Sequence, residues 1–159
     1  LCPQGVGGDG KTETVKDCSA EVKGAWADKH VQVNPNTNWD DVDAGLRDAV
    51  VLASMDLRKD FYVSAGKEGG HSPNSAHHEG LAVDISRVNG TRFADMNRLT
   101  ARMLGNQVGA TITNFLPYGR GREVFTPGMA FRFDMNLSAA SRKSLMASHW
   151  NHVHVSLIP

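Results

Sequence analysis

The last stretch of the chain, His152-Val-His-Val-Ser-Leu157, alternates polar and apolar residues. Period-two alternation marks a strand with unlike faces. Val153 and Val155 then point into one layer, and His152 and His154 into the other. Such a strand needs a sheet around it, an apolar layer behind it, and a reason for two imidazoles to share its remaining face. That narrows the fold to a sheet with helices and makes the histidine face a candidate site. Solvent-facing histidines on an edge strand are the plainer reading.

A second stretch also reads as a strand. Leu81-Ala-Val-Asp-Ile85 reads as a buried strand carrying one carboxylate, Asp84. A carboxylate there is costly unless paired or metal-bound. Just upstream, Ser75-Ala-His-His-Glu-Gly80 supplies His77 and a glycine turn. Histidine and carboxylate together suit Zn²⁺, with three protein ligands in a catalytic site and four in a structural one. Asp84 alone would read equally well as a salt-bridged structural residue. Beside His77, His152 and His154 it reads as part of a metal site.

The chain has 159 residues, enough for one domain with a real core. Lys plus Arg and Asp plus Glu number 17 each, which argues against a broad polyanion-binding surface, so no nucleic-acid partner is expected. No apolar run reaches the ~20 residues of a membrane helix, so no membrane span is expected. No signal peptide opens the chain, and it begins at Leu1 rather than Met. The expectation is a processed product or an excised domain, either a monomer or part of a larger exported or injected protein. Residues 1–36 are rich in Gly, Asn, Lys and Asp and are expected to be irregular, tied down by a Cys2–Cys18 disulfide. Such a loop closure contributes ~3 kcal/mol; two free thiols are the alternative.

Residues 37–159 read as the folded domain. Helical spacing of Trp39, Val42, Leu46, Ala49, Val50, Ala53 and Leu57 predicts a helix from about Asn38, capped by Thr37 or Asn38. Phe61–Ala65 reads as a strand and 66–74 as a loop. Thr91–Leu104 reads as a helix stopped by Gly105, and Ala110–Leu116 as a strand. Pro117–Gly128 reads as a loop with Arg120 and Arg122 as solvated charges, and Ser138–Ser148 as a helix. The expected class is α+β: a small antiparallel sheet flanked by helices, with the zinc site on the sheet face.

Ser75-x-His77-x-x-Gly80-x-Ala82-x-Asp84, followed by His152-x-His154 near the C-terminus, resembles the zinc D-alanyl-D-alanine peptidases. These belong to the lysostaphin, D-Ala-D-Ala metallopeptidase and sonic hedgehog superfamily. The likeness runs from about Trp39 to Leu157. It implies that His77, Asp84 and His154 bind zinc and that His152 sits beside the metal-bound water, where, with no glutamate at position 151, it is the expected catalytic base. His149-x-x-His152-x-His154 further resembles the murein endopeptidase branch, which implies that His149 also lines the catalytic site. Ser75, Lys67 and His71 are the expected substrate contacts. Many relatives carry a catalytic Glu where this chain has Asn151, and an arginine where it offers Lys67. Glu123 is the outside candidate for the base. Glu79 follows His78 as in a zincin helix, but position 82 is Ala, so that motif fails. His78 and His30 read as turn and surface residues, and Trp150 as a core or rim aromatic.

The implied activity is hydrolysis of peptidoglycan stem or cross-bridge peptides in an extracellular or periplasmic setting. A non-catalytic zinc module binding a wall peptide or protein, and a peptidase for ordinary L-peptides, are the competing readings.

Overall fold

The strand containing His154 lies inside a seven-stranded sheet, where it can be buried on both faces. The computed structural model describes residues 18–67 and 74–159. In chain order the elements are α1 (Ala20–His30), β1 (Val31–Val33), α2 (Ala44–Leu57), β2 (Phe61–Ala65), β3 (Ala82–Val88), β4 (Thr91–Arg92), α3 (Arg98–Phe115), β5 (Gly121–Thr126), β6 (Met129–Arg132), α4 (Ala139–Ser148) and β7 (Val153–Leu157). The strands run β1-β2-β3-β7-β5-β6, with β4 folded onto β3. All pairs are antiparallel except β1 and β2. The class is α+β, but the sheet is mixed and large rather than small and antiparallel. The difference comes from β1, which is laid parallel to β2 through the intervening α2.

One face of the sheet is the core. Val83, Ile85, Val124, Val153 and Val155 are buried there with Leu46, Ala49, Val50 and Ala53 of α2 and Val108 and Ile112 of α3. The α2 set recurs at helical spacing, as the sequence predicts. The helix starts later than predicted, however. Trp39–Asp41 form a 3-10 turn, and Asp43 is the true cap, its Oδ1 accepting from the backbone N–H groups of Gly45 and Leu46. Arg120 donates to Asp43 Oδ2 at 2.9 Å, so this arginine ties the 117–120 turn to the start of α2 rather than standing free in solvent.

Three further expectations change for physical reasons. Residues 1–36 are not irregular throughout. α1 forms with Ser19 as its cap, although it buries no residue. It carries no apolar stripe and is held on α2 by polar contacts, Trp26 Nε1 to Ser54 Oγ and Lys23 to Asp48. Residues 1–17, with Cys2, lie outside the described residues; Cys18 is buried and disulfide-bonded. Next, α3 does not stop at Gly105 and absorbs the predicted strand 110–116. Gly105 and Gly109 are contact points instead of caps. A Cβ on Gly109 would stand 2.9 Å from Thr126 Cγ2 and 3.0 Å from Val124 Cγ1, so glycine lets α3 lie close on the sheet. Finally, Gly121–Thr126 is a strand, closed onto β6 by Pro127-Gly128.

α4 approaches β5 and β6 from the face opposite the core. Its C-cap His149 packs on Phe125, whose chain neighbour Val124 points into the core. No described helix is long and apolar enough to cross a membrane.

Candidate metal centre

The face of the sheet away from α2 and α3 carries the polar residues. In register, Asp84 of β3 pairs with His154 of β7, and His154 pairs in turn with Phe125 of β5. His154 therefore stands between a carboxylate and an aromatic ring, stacked on Phe125 with 5.6 Å between centroids. A bulge where Ala65 meets Asp84 interrupts the β2–β3 ladder beside the site.

His77 arrives from the turn that precedes β3. Gly80 in this turn has φ +74°, and a Cβ there would collide with the carbonyl oxygen of Asp41. Its own carbonyl accepts from Asp43 N–H at 2.8 Å, so the turn is docked on the segment that caps α2. Only glycine satisfies both the backbone angle and the close approach. Ser75 Oγ accepts from the His77 backbone N–H at 3.3 Å, which places this hydroxyl in the turn's own scaffolding.

His77, Asp84 and His154 each turn one ligand atom toward a common point, and these atoms all lie within 4.8 Å of one another. His77 Nε2 is 3.3 Å from Asp84 Oδ2, and His154 Nδ1 is 2.8 Å from Asp84 Oδ1. A tetrahedral ion with ~2.1 Å bonds separates its ligands by ~3.4 Å, so the spacing accommodates a small cation after slight opening of the His154–Asp84 contact. The two-imidazole, one-carboxylate donor set favours Zn²⁺-like ions over Ca²⁺ or Mg²⁺, which take oxygen ligands.

Every imidazole at the site has one nitrogen committed to a neighbour. His77 Nδ1 donates to the Gly66 carbonyl at 2.9 Å. His149 Nδ1 donates to the Leu145 carbonyl at 2.7 Å, and His152 Nδ1 to Asn151 Oδ1 at 2.7 Å. His154 Nε2 meets Glu123 Oε2 at 3.3 Å, and Ser156 Oγ donates to the same oxygen at 3.1 Å. Such outer partners orient ligands and fix their tautomers. His152 Nε2, the uncommitted nitrogen, is 3.9 Å from Asp84 Oδ1, beside the ligand group.

Charge follows from these partners. Both neighbours of His154 are acceptor-only carboxylates, so without a metal its ring carries two N–H groups. Burial disfavours that charge, but Asp84 and Glu123 outweigh it and raise the His154 pKa to about 9. Burial likewise pushes Asp84 upward, and the His154 and His77 hydrogen bonds overcome it, holding the carboxyl far below its usual range. The His154 hydrogen bond holds Glu123 low. Burial lowers both His149 and His152, so these two rings are neutral near pH 7.

Of the residues singled out from the sequence, His77, Asp84, His149, His152 and His154 come together. The His77 and His154 rings are 5.2 Å apart, His149 and His152 4.8 Å, and His149 and His154 5.6 Å. His78 and Glu79 are exposed and are not part of the ligand group. His30 pairs with Asp60 and stacks on Trp26, remote from the site. Trp150 is exposed and is not a core residue. Lys67 is partly buried, and its carbonyl accepts from Asn38 N–H. His71 lies outside the described residues. Glu123 sits on the side of His154 away from Asp84, which suits it to orienting that ring rather than to acting as a base. Phe125 and Asn151 were not anticipated as site residues. The alternation of Glu123-Val-Phe125, bounded by Gly121 and Pro127-Gly128, is the signal that could have placed Glu123 and Phe125 on one face of a strand.

Compared with known proteins, the chain matches no family model, no curated protein and no solved structure.

Proposed function

We propose that the chain is a zinc-dependent peptidase of the D-alanyl-D-alanine peptidase and murein endopeptidase kind, hydrolysing peptide bonds in bacterial peptidoglycan. The observation that carries the reading is a three-ligand group, His77, Asp84 and His154, with a neutral fourth imidazole beside it. Three ligands leave a coordination position for water and substrate. When bound there, zinc acidifies the attacking water to a pKa of about 7 and polarises the scissile carbonyl. His152 takes the proton from the water at Nε2 and later returns it to the departing amine. Asp84 keeps its negative charge throughout, offsetting half of the ion's charge. Phe125 and His149 line one side of the site.

The substrate class rests on the motif resemblance. Peptidoglycan places the protein's work outside the cytoplasm, and a disulfide-bonded Cys18 suits such a compartment. Lys67, Ser75 and His71 remain the proposed substrate contacts, Lys67 offering a point charge to a substrate carboxylate.

Digestion of purified sacculi with the zinc-loaded protein, with and without chelator, tests the reading. New amine termini in the zinc sample alone are expected, and mass spectrometry of the fragments names the bond. No new termini with zinc would remove the peptidoglycan reading. A closed, non-catalytic site is the competing reading, favoured by the 3.9 Å approach of His152 to Asp84. There His152 is a fourth ligand, and its removal takes the zinc with it.

A further inference from the structure

We infer that Asn151 is a positioning residue that holds His152 in the tautomer its role requires. The inference rests on the reading of His152 as the base. Asn151 occupies the position at which many of the peptidases the chain resembles carry a catalytic glutamate, and its side chain points to His152. Its Oδ1 lies 2.7 Å from His152 Nδ1. A carbonyl oxygen only accepts, so the proton of the neutral ring sits on Nδ1. Nε2 then carries the lone pair, and Nε2 is the atom 3.9 Å from Asp84 Oδ1. The opposite tautomer would present an N–H to the ligand group and could take no proton from the water. The base is thus supplied by two adjacent residues, one reacting and one orienting.

Asparagine suits the place electrostatically. Asp84 and Glu123 already bring two carboxylates to the site. An amide accepts a hydrogen bond without adding a third charge. The chain path supports the pair too. His152 N–H lies 3.5 Å from the His149 carbonyl in the turn that links α4 to β7, which sets both side chains at the start of the strand.

The direct readout is the His152 tautomer, from proton–nitrogen correlation spectra of histidine-labelled, zinc-loaded protein. The Nδ1–H form is expected in the wild type and in Asn151→Asp, which keeps an acceptor. In Asn151→Ala the ring is expected to shift toward Nε2–H. Alongside it, kcat should fall about 10- to 100-fold with KM and bound zinc unchanged. An Nε2–H ring in the wild type, or an unchanged Nδ1–H ring in Asn151→Ala, would overturn the inference. Should Asn151→Ala not fold, the wild-type and Asn151→Asp tautomers decide. Wild-type protein inactive on sacculi would sink the peptidase reading and leave the tautomer result standing by itself.

Discussion

The two faces of β3, β5 and β7 are built from alternate residues of the same strands, yet they solve opposite problems. On one face Val83, Ile85, Val124, Val153 and Val155 are buried among α2 and α3, and nothing there needs a partner. On the other, Asp84, Glu123, His154 and Ser156 are largely buried too, and they answer one another: His154 lies between Asp84 and Glu123, and Ser156 donates to Glu123. The first face is stable because it excludes water. The second holds together because its charges are paired, at a desolvation penalty an apolar face avoids. This polar face also sets one ligand atom each of His77, Asp84 and His154 within 4.8 Å of one another, a group that could hold a metal ion.

The contrast can be broken most severely at Asp84. Asp84→Ala should abolish stoichiometric zinc binding, measured by metal analysis after dialysis; retained zinc would refute the ligand assignment. His152→Ala should keep its zinc and lose about 10²–10⁴-fold in turnover, the usual worth of a general base. Zinc lost in that variant would favour the closed site. On the apolar face, Ile85→Ala should lose about 2–5 kcal/mol of stability in denaturant titration, yet bind zinc normally once folded. A matching fall in zinc affinity would mean that the two faces are not separable. Glu123→Ala should weaken zinc about 10- to 100-fold in a chelator competition, because His154 loses the acceptor at its far nitrogen.

The smallest effect is with pH, and it runs in opposite directions for the protein and for the metal. His154 is raised from 6.5 to about 9 in the folded, metal-free protein. Its stabilising contribution is therefore complete below about 6.5 and lost as pH rises through about 9. The thermal midpoint of the metal-free protein should fall across that window. Zinc must displace the Nδ1 proton, so zinc affinity should climb across the same window and then level off, with proton release on binding. A zinc affinity flat between pH 6.5 and 9 would show that His154 is not a ligand through Nδ1.

Much of this contrast is legible in the sequence. Alternation in His152–Leu157 assigns each residue to a face before any partner is known, and the apolar run Leu81–Ile85 marks a buried strand in which Asp84 needs a partner. The α2 stripe is equally local. The failures are equally instructive. Gly105 looks like a helix stop until Thr126 and Pro127 are seen pressing on that surface of α3. α1 has no apolar stripe to betray it, since its contacts to α2 are polar.

Local spacing by itself determined that His152 and His154 share a face opposite Val153 and Val155, because side-chain direction along a strand is fixed by the backbone. Only the tertiary structure decided what meets them there. The pairing of β5 with β7 sets Glu123 opposite Ser156 and against the far nitrogen of His154, and the side-chain geometry at the head of β7 turns Asn151 onto His152. Strand neighbours and register come from contacts distant in sequence, and a hydrogen bond is settled only by where two atoms finally lie.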